Sequence, residues 1–432
     1  MLRLRKKTYI PFTVLLILQS YIPSTLFLML GIIELSLYII FVLKGKIPIN
    51  IIPGFNILIL FLLWGAVLGL INFNANGIAI RDYVRDIFYY SSPLIFMPIG
   101  MIYGKMNIEK EKLFNSIIVA GILLSITSLY STIQNIAALA NVGSVFYWRE
   151  LTGNGNYCAT LALVLLLTYP FSEHLFSQSF KRISLIICLI EFIITLSRTN
   201  IMLFIVFFLC VIWNRNLGNK IVRHLPKIAV IIIGFFLITK FLLPNNIVGD
   251  YVTKLFNSFT EVSANGDWYN SAMIQNHWRG YETHCALKEW ENYNLVSQFI
   301  GRGFGKRILV GPYAFTLLKQ LNSDGTPATT IAVLHNGYST MLIKLGAVGV
   351  ALYLAYYIIL VSNGAIASKN KSVDRYSARL FLGCGLFLLI VTYFLNGLYK
   401  DGCPFYPIII MVGYFSYIIK EERRTACSIK LK

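Results

Sequence analysis

Apolar runs long enough to cross a bilayer recur along almost the whole chain, broken only by short clusters of charge. A helix needs about 20 mostly apolar residues to span the hydrocarbon core, so this spacing limits the fold more than any single residue does. Charged residues make up only 13% of the chain, against roughly 25% in ordinary soluble proteins. That scarcity excludes a soluble multidomain enzyme, a disordered protein and a protein held by a single anchor. The pattern predicts an all-α polytopic integral membrane protein.

Twelve spans are expected, near residues 8–23, 24–43, 51–71, 87–104, 113–132, 156–171, 182–196, 199–213, 227–244, 336–362, 377–396 and 405–419. The first shows no small-residue cleavage site and runs into the second through Tyr21-Ile22-Pro23-Ser24, so it is expected to be retained. Basic clusters then alternate as cytoplasmic loops should: Arg3 to Lys7, Lys44 and Lys46, Lys105 to Lys112, Lys181 and Arg182, Arg215 to Lys227, Lys369 to Arg379, and Lys420 to Lys432. Both termini are therefore expected inside. The surplus of 38 Lys and Arg over 19 Asp and Glu lies in these clusters, which argues against a nucleic-acid partner. The seven cysteines form no paired or zinc-type spacing, so neither a disulfide framework nor a metal site is implied.

Residues 1–244 thus hold spans one to nine, and 335–432 hold spans ten to twelve with a cytoplasmic tail. Between them, 245–334 contains no convincing span and balances seven acidic against seven basic residues. A loop far longer than about 12–15 residues is usually functional or disordered. Its many Tyr and Trp residues disfavour disorder, and a lid of short helices over the membrane domain is expected.

Ionisable groups at membrane depth are functional candidates, because leaving them there costs several kcal/mol. Arg198 lies in Thr195-Leu196-Ser197-Arg198-Thr199-Asn200, a polar break between two apolar runs. It either snorkels to lipid phosphates or presents a guanidinium, a bidentate donor, to a bound phosphate. Arg279, in His277-Trp278-Arg279-Gly280-Tyr281-Glu282, is either a solvated helix face or a second anion contact. His277 and His284 lack a third ligand and read as surface residues. Gly301-Arg302-Gly303-Phe304-Gly305-Lys306-Arg307 lacks the strand and Lys-Ser/Thr ending of a P-loop. It reads as a tight turn whose Arg302 and Lys306 could touch a lipid diphosphate.

His335 and Asn336 open the tenth span with Gly337 and Tyr338, followed by Gly346 and Gly349, in the form H-N-x9-G-x2-G. The glycines alone would be helix-packing residues, and the histidine a polar cap. The alternative is a general base, since imidazole titrates near working pH. Other charges take plainer readings. Arg81, Asp82, Arg85 and Asp86 could pair along an interfacial helix. Arg149 and Glu150 could anchor at headgroups or line a glycan entrance. Glu34 and Glu191 should face neighbouring helices, Glu191 near Arg198.

Taken together, His335-Asn336 with Gly346 and Gly349, Ser197-Arg198-Thr199, and Arg279-Gly280 resemble the O-antigen polymerase and O-antigen ligase family. The likeness extends over most of the chain: twelve spans, both ends inside, and a large periplasmic loop before the third-last helix. It implies a glycosyltransferase of the bacterial inner membrane in lipopolysaccharide or related polysaccharide biosynthesis, metal-independent, without cofactor, inverting, and facing the periplasm. Donor and acceptor would be oligosaccharides on undecaprenyl diphosphate. The resemblance makes His335, Arg198 and Arg279 catalytic. Arg302, Lys306, Asn336, Tyr338 and Arg149 would bind diphosphate or glycan. It leaves room for a chain-length-regulating co-polymerase. A polymerase reading is favoured because ligases often carry an acidic residue where Gly337 stands. The alternatives are a ligase transferring the glycan to lipid A core and a flippase or other transporter. A transporter commonly shows repeated halves, which this sequence lacks.

Overall fold

A computed structural model of the protein describes residues 8–44, 49–74, 77–139, 145–153, 155–169, 177–212, 251–253, 260–318, 325–400 and 403–430, with Gly249, Asn257 and Leu321. Its first half contains helices α1 (Ile10–Leu18), α2 (Ser24–Phe41), α3 (Phe55–Ile71), α4 (Ile80–Tyr90), α5 (Ser92–Lys105), α6 (Lys110–Gln134), α7 (Val145–Thr152), α8 (Tyr157–Thr168), α9 (Gln178–Ile194) and α10 (Arg198–Ile212). The lid follows with α11 (Ser271–Asn276), α12 (Trp278–Glu291), α13 (Leu295–Ile300), β1 (Ile308–Leu309), α14 (Tyr313–Leu318) and β2 (Thr330–Ile331). Three long helices close the chain, α15 (Gly337–Lys369), α16 (Arg375–Leu395) and α17 (Tyr406–Lys430).

Helices thus cover eleven of the twelve expected spans, and 227–244 lies outside the described residues. Among the described residues, five segments are long and apolar enough to cross a membrane: α2, α4 with α5, α6, α15 and α16. The protein is all-α and membrane-embedded in character, and its sheet among the described residues is one antiparallel pair, Ile308 opposite Ile331.

Where two helices must touch, small residues let them. Gly100 and Gly104 of α5 face α17, whose Gly413 faces α5 in turn; a Cβ at Gly100 or Gly413 would overlap the partner's backbone. This spacing of two glycines four apart suits close helix contact in lipid, where dispersion replaces the hydrophobic drive. Around this seam Phe12, Phe27, Phe96, Tyr103 and Tyr406 form a fully buried aromatic cluster. Glu34 faces it as expected, accepting from the Tyr103 hydroxyl at 2.7 Å. The described cysteines are all free, and only Cys285 and Cys427 are not buried.

The lid has a small core of its own, in which Ala286, Ile308, Val310, Ile331 and Leu334 pack with Ile343 of α15. Its firmest attachment is the glycine-rich segment after α13. Gly301, Gly303 and Gly305 all have left-handed φ, +84°, +88° and +85°. Their backbone threads between helices: Arg302 N–H donates to Ile343 O, Gly303 N–H to Lys344 O at 2.6 Å, and Phe304 N–H to Gly65 O at 3.0 Å. Gly346, at φ +65° and ψ −170°, breaks α15 so that this thread can enter. Gly346 of the H-N-x9-G-x2-G form is therefore a helix break for the lid, while Gly349 is a buried helical residue. Phe304, fully buried, stacks on Tyr90.

Beside the thread lies an ion network. Asp86 of α4 and Lys344 of α15 are both fully buried and paired with each other. Asp86 also accepts from Gly305 N–H at 2.7 Å and from Arg85 at 3.1 Å. Asp82 takes Arg85 at 2.6 Å and Arg307 at 3.3 Å. The expected interfacial helix is thus half right. Arg85 does pair along it, but both aspartates point inward, because Lys344 and the threaded backbone need an acceptor there.

Candidate active site

Arg198 starts α10, and the turn before it is unusual. Leu196 adopts φ +46°, a left-handed backbone in a non-glycine residue, and its side chain is held in a small core with Trp148 and Tyr251. Trp148 locks the same turn by donating Nε1–H to Ile194 O at 2.8 Å. Ser197 accepts from Asn200 N–H at 3.4 Å, capping the helix. The break between α9 and α10 is thus fixed by packing, and Arg198 projects from a helix N-terminus, a favourable place for an anion.

Arg198 is bound to Glu261 through both guanidinium nitrogens. Glu261 arrives on the single turn Thr260–Val262, which lies against α12 at Gly280; a Cβ there would press on the carbonyls of Glu261 and Ser263. That close approach is the physical reason a glycine follows Arg279. Arg149, from α7, completes the group. Burial lowers the proton affinity of Arg149, and the Arg198 charge lowers it further. Burial likewise lowers that of Arg279; Glu261 opposes this, Arg198 adds to it, Glu282 opposes it and Arg149 adds to it. Tyr157, bonded to Thr199, lies within reach of Arg149 and Arg279. Among the described residues, three guanidinium groups therefore lie in the field of two carboxylates, and the buried Nε of Arg149 has no hydrogen-bond partner there. Such a group attracts a further anion.

The second carboxylate, Glu282, is also fully buried one turn along α12 from Arg279. It grips His335: Oε2 accepts the backbone N–H at 2.9 Å, and the carboxylate lies 3.0–3.1 Å from Nδ1. A carboxylate only accepts, so Nδ1 carries a proton, and Nε2 is the nitrogen that is basic in the neutral imidazole. The His335 side chain is 33% exposed against 0% for Glu282, which leaves the basic nitrogen accessible and its orienter sealed. Beside His335 opens a cavity of about 250 Å³ lined by Arg85, Tyr89, Ala332, Val333, Leu334, Leu395 and Lys400.

The structure thus brings Arg149, Arg198, Arg279 and His335 into one electrostatic group. It gives the other expected residues different partners. Asn336 caps α15, its Oδ1 accepting from Tyr338 N–H and Ser339 N–H, and it is buried. Tyr338 donates its hydroxyl to Leu389 O at 2.9 Å. Lys306 pairs with Glu289 at 2.9 Å, and Arg302 sits 4.6 Å from the centre of the Tyr293 ring. These contacts tie both to the lid. Glu191 makes no ion pair with Arg198: it accepts from Asn156 N–H at 3.3 Å, and Arg198 pairs with Glu261. Glu282 and Glu261 were not foreseen as site residues. Only the three-residue spacing of Arg279 and Glu282 on one helix face hinted at either. No family model matches the chain, and no curated protein is similar enough to match it.

Proposed function

We propose that the protein is a membrane glycosyltransferase that polymerises oligosaccharide repeat units carried on undecaprenyl diphosphate into O-antigen or a related surface polysaccharide. The reading takes the helices as twelve spans of the bacterial inner membrane with both termini in the cytoplasm, which puts lid and site at the periplasmic face. The observation that carries it is the Glu282–His335 dyad set against the three-arginine group. Such a pair combines an oriented base with positive charge for a departing diphosphate.

In the step proposed, an acceptor sugar hydroxyl attacks the anomeric carbon of the donor from the face opposite the diphosphate. The new C–O bond forms as the bond to the diphosphate oxygen breaks, so the configuration inverts. The hydroxyl proton passes to Nε2 of His335, and the resulting imidazolium is stabilised by Glu282. The leaving diphosphate keeps the electron pair, and Arg198, Arg279 and Arg149 neutralise it. With that charge supplied by arginine, transfer by the purified protein should be insensitive to chelator. A loss restored by Mg²⁺ would overturn metal-independence.

A polysaccharide gel of a strain lacking the gene tests the class of reaction. Lipid A core bearing a single repeat unit is the expected result. Bare core with long chains still on undecaprenyl diphosphate would make the protein a ligase. Repeat units trapped on the cytoplasmic face would make it a transporter.

A further inference from the structure

Helix α13 of the lid turns an apolar face outward. Its six residues, Leu295-Val296-Ser297-Gln298-Phe299-Ile300, carry no charge. Leu295, Val296 and Phe299 are 70%, 63% and 54% exposed, and their spacing of one, three and four residues puts them side by side on the helix. A contiguous apolar patch of this kind marks an interaction surface, where single apolar residues would not.

The contacts of α13 place it below the lid-side ends of the membrane helices. Ile300 O, at its last residue, accepts Trp64 Nε1–H of α3 at 3.3 Å. The Phe299 carbonyl lies against the break in α15, where a Cβ on Gly346 would overlap it. Trp64 stands seven residues before the end of α3, and Gly346 nine after the start of α15. At 1.5 Å per residue these contacts are roughly 10 and 13 Å inside the two helix ends. From that level outward α3 exposes Leu63, Val67, Leu70 and Ile71, all large and aliphatic. Its 17 residues reach about 26 Å, short of the ~30 Å hydrocarbon core, so as a span it has no turn to spare outside the bilayer.

Polar groups of α13 that water would otherwise serve are served by protein. The end of a helix leaves carbonyls without partners. Here Ser297 O accepts from Gly301 N–H at 2.9 Å, Gln298 O from Trp290 Nε1–H at 3.0 Å, and Ile300 O from Trp64. At the other end Asn294 Oδ1 accepts from Ser297 N–H at 2.9 Å, and the Gln298 amide donates to Glu291 O at 3.2 Å. A backbone in hydrocarbon requires such internal partners, because no water is there to replace them.

We propose that α13 is a re-entrant anchor of the lid. It lies within the leaflet on the lid's side of the membrane, with Leu295, Val296 and Phe299 against lipid hydrocarbon and continuous with the lipid face of α3. The lid is then fastened to the bilayer as well as to the helices beneath it. Neither His335 nor the arginines take part, so the anchor stands or falls apart from the transferase chemistry.

The test uses the full-length protein in lipid nanodiscs, with cysteines introduced one at a time and labelled with a nitroxide. Cys285 and Cys427, the two cysteines that are not buried, are first replaced by serine. Val296→Cys and Phe299→Cys report on α13, Val67→Cys on the lipid face of α3, and Tyr269→Cys, at a fully exposed lid residue, on water. Each labelled variant must melt like wild type, and two positions on α13 guard against the loss of one. The α13 labels should collide with oxygen as the Val67→Cys label does. They should meet a polar nickel chelate roughly tenfold less often than the Tyr269→Cys label, since such a chelate partitions out of hydrocarbon. Nickel collision as frequent as at Tyr269→Cys overturns the anchor and returns α13 to the water-bathed part of the lid. Exclusion of both oxygen and nickel overturns it as well, because protein rather than lipid then covers the face.

Discussion

The turn at 195–198 and the segment at 301–307 are both short polar breaks between apolar stretches, and both carry arginine. In the first, the packing of Leu196 and the Trp148 Nε1–H bond to Ile194 O fix the turn, and Arg198 is delivered to a cluster in which, among the described residues, three guanidinium groups face two carboxylates. In the second, every basic side chain has work within the lid or its anchor: Arg302 over Tyr293, Lys306 on Glu289, Arg307 on Asp82 and Thr330. There the backbone is the functional part, since its N–H groups hold α3, α4 and α15 together. A basic residue at a polar break between apolar stretches therefore says little about ligand binding until its counter-charges are known.

Substitutions should separate the two regions. Gly303→Ala ought to have the largest effect, because a Cβ there would overlap the backbone of Leu68 and Gly69 and the φ of +88° is strained for any side chain. Strain and overpacking together should cost roughly 2–6 kcal/mol, read as loss of cooperative melting and of detergent-stable protein. A variant that melts like wild type would dissolve the claim that this thread anchors the lid. His335→Ala should instead leave the melt intact and reduce kcat by about 10²–10⁴-fold, with Glu282→Gln moving kcat the same way because an amide no longer dictates the tautomer. Wild-type modal chain length in cells carrying His335→Ala would remove it as the base. For Arg198→Lys, an ammonium cannot reproduce the two-nitrogen contact with Glu261, nor a bidentate contact with phosphate. A fall of about 100-fold in kcat/KM is expected, and full activity would return Arg198 to the role of a lipid anchor.

How much of this could be read beforehand differs between levels. The helices were legible because a bilayer-length apolar run has few other fates; Arg198 and His335 stood out as polar residues at the edges of apolar runs, and Arg279 as a basic residue of the long loop. Arg149 was expected to bind diphosphate or glycan, but that it would stand in the same electrostatic group as Arg198 and Arg279 could not be read from its position in the sequence. The glycine-rich segment was misleading for a physical reason: Gly-x-Gly-x-Gly marks close backbone approach, and a phosphate or a neighbouring helix satisfies it equally well. Asn336 and Tyr338 stood beside His335 in sequence, yet the helix start needs a cap and the hydroxyl needs an acceptor, so local structure claimed both. The Glu282–His335 contact joins residues 53 apart, a distance over which no periodic pattern speaks.

The smallest effect is the most discriminating for the comparison. Lys306 has the sequence credentials of an anion ligand, a lysine in a glycine-rich loop, but its ammonium is held by Glu289, which also accepts the Leu309 N–H at 3.0 Å and the Tyr293 hydroxyl at 3.0 Å. Lys306→Ala leaves Glu289 with those two donors, so no buried charge is abandoned. The pair is partly solvated, and its removal should cost about 1 kcal/mol or less. Transfer rate and donor KM should stay within about twofold of wild type, a change of less than 0.5 kcal/mol. A donor KM raised tenfold would mean that the loop reaches the diphosphate after all. The boundary between anchor and site would then run through the glycine-rich segment instead of beside it.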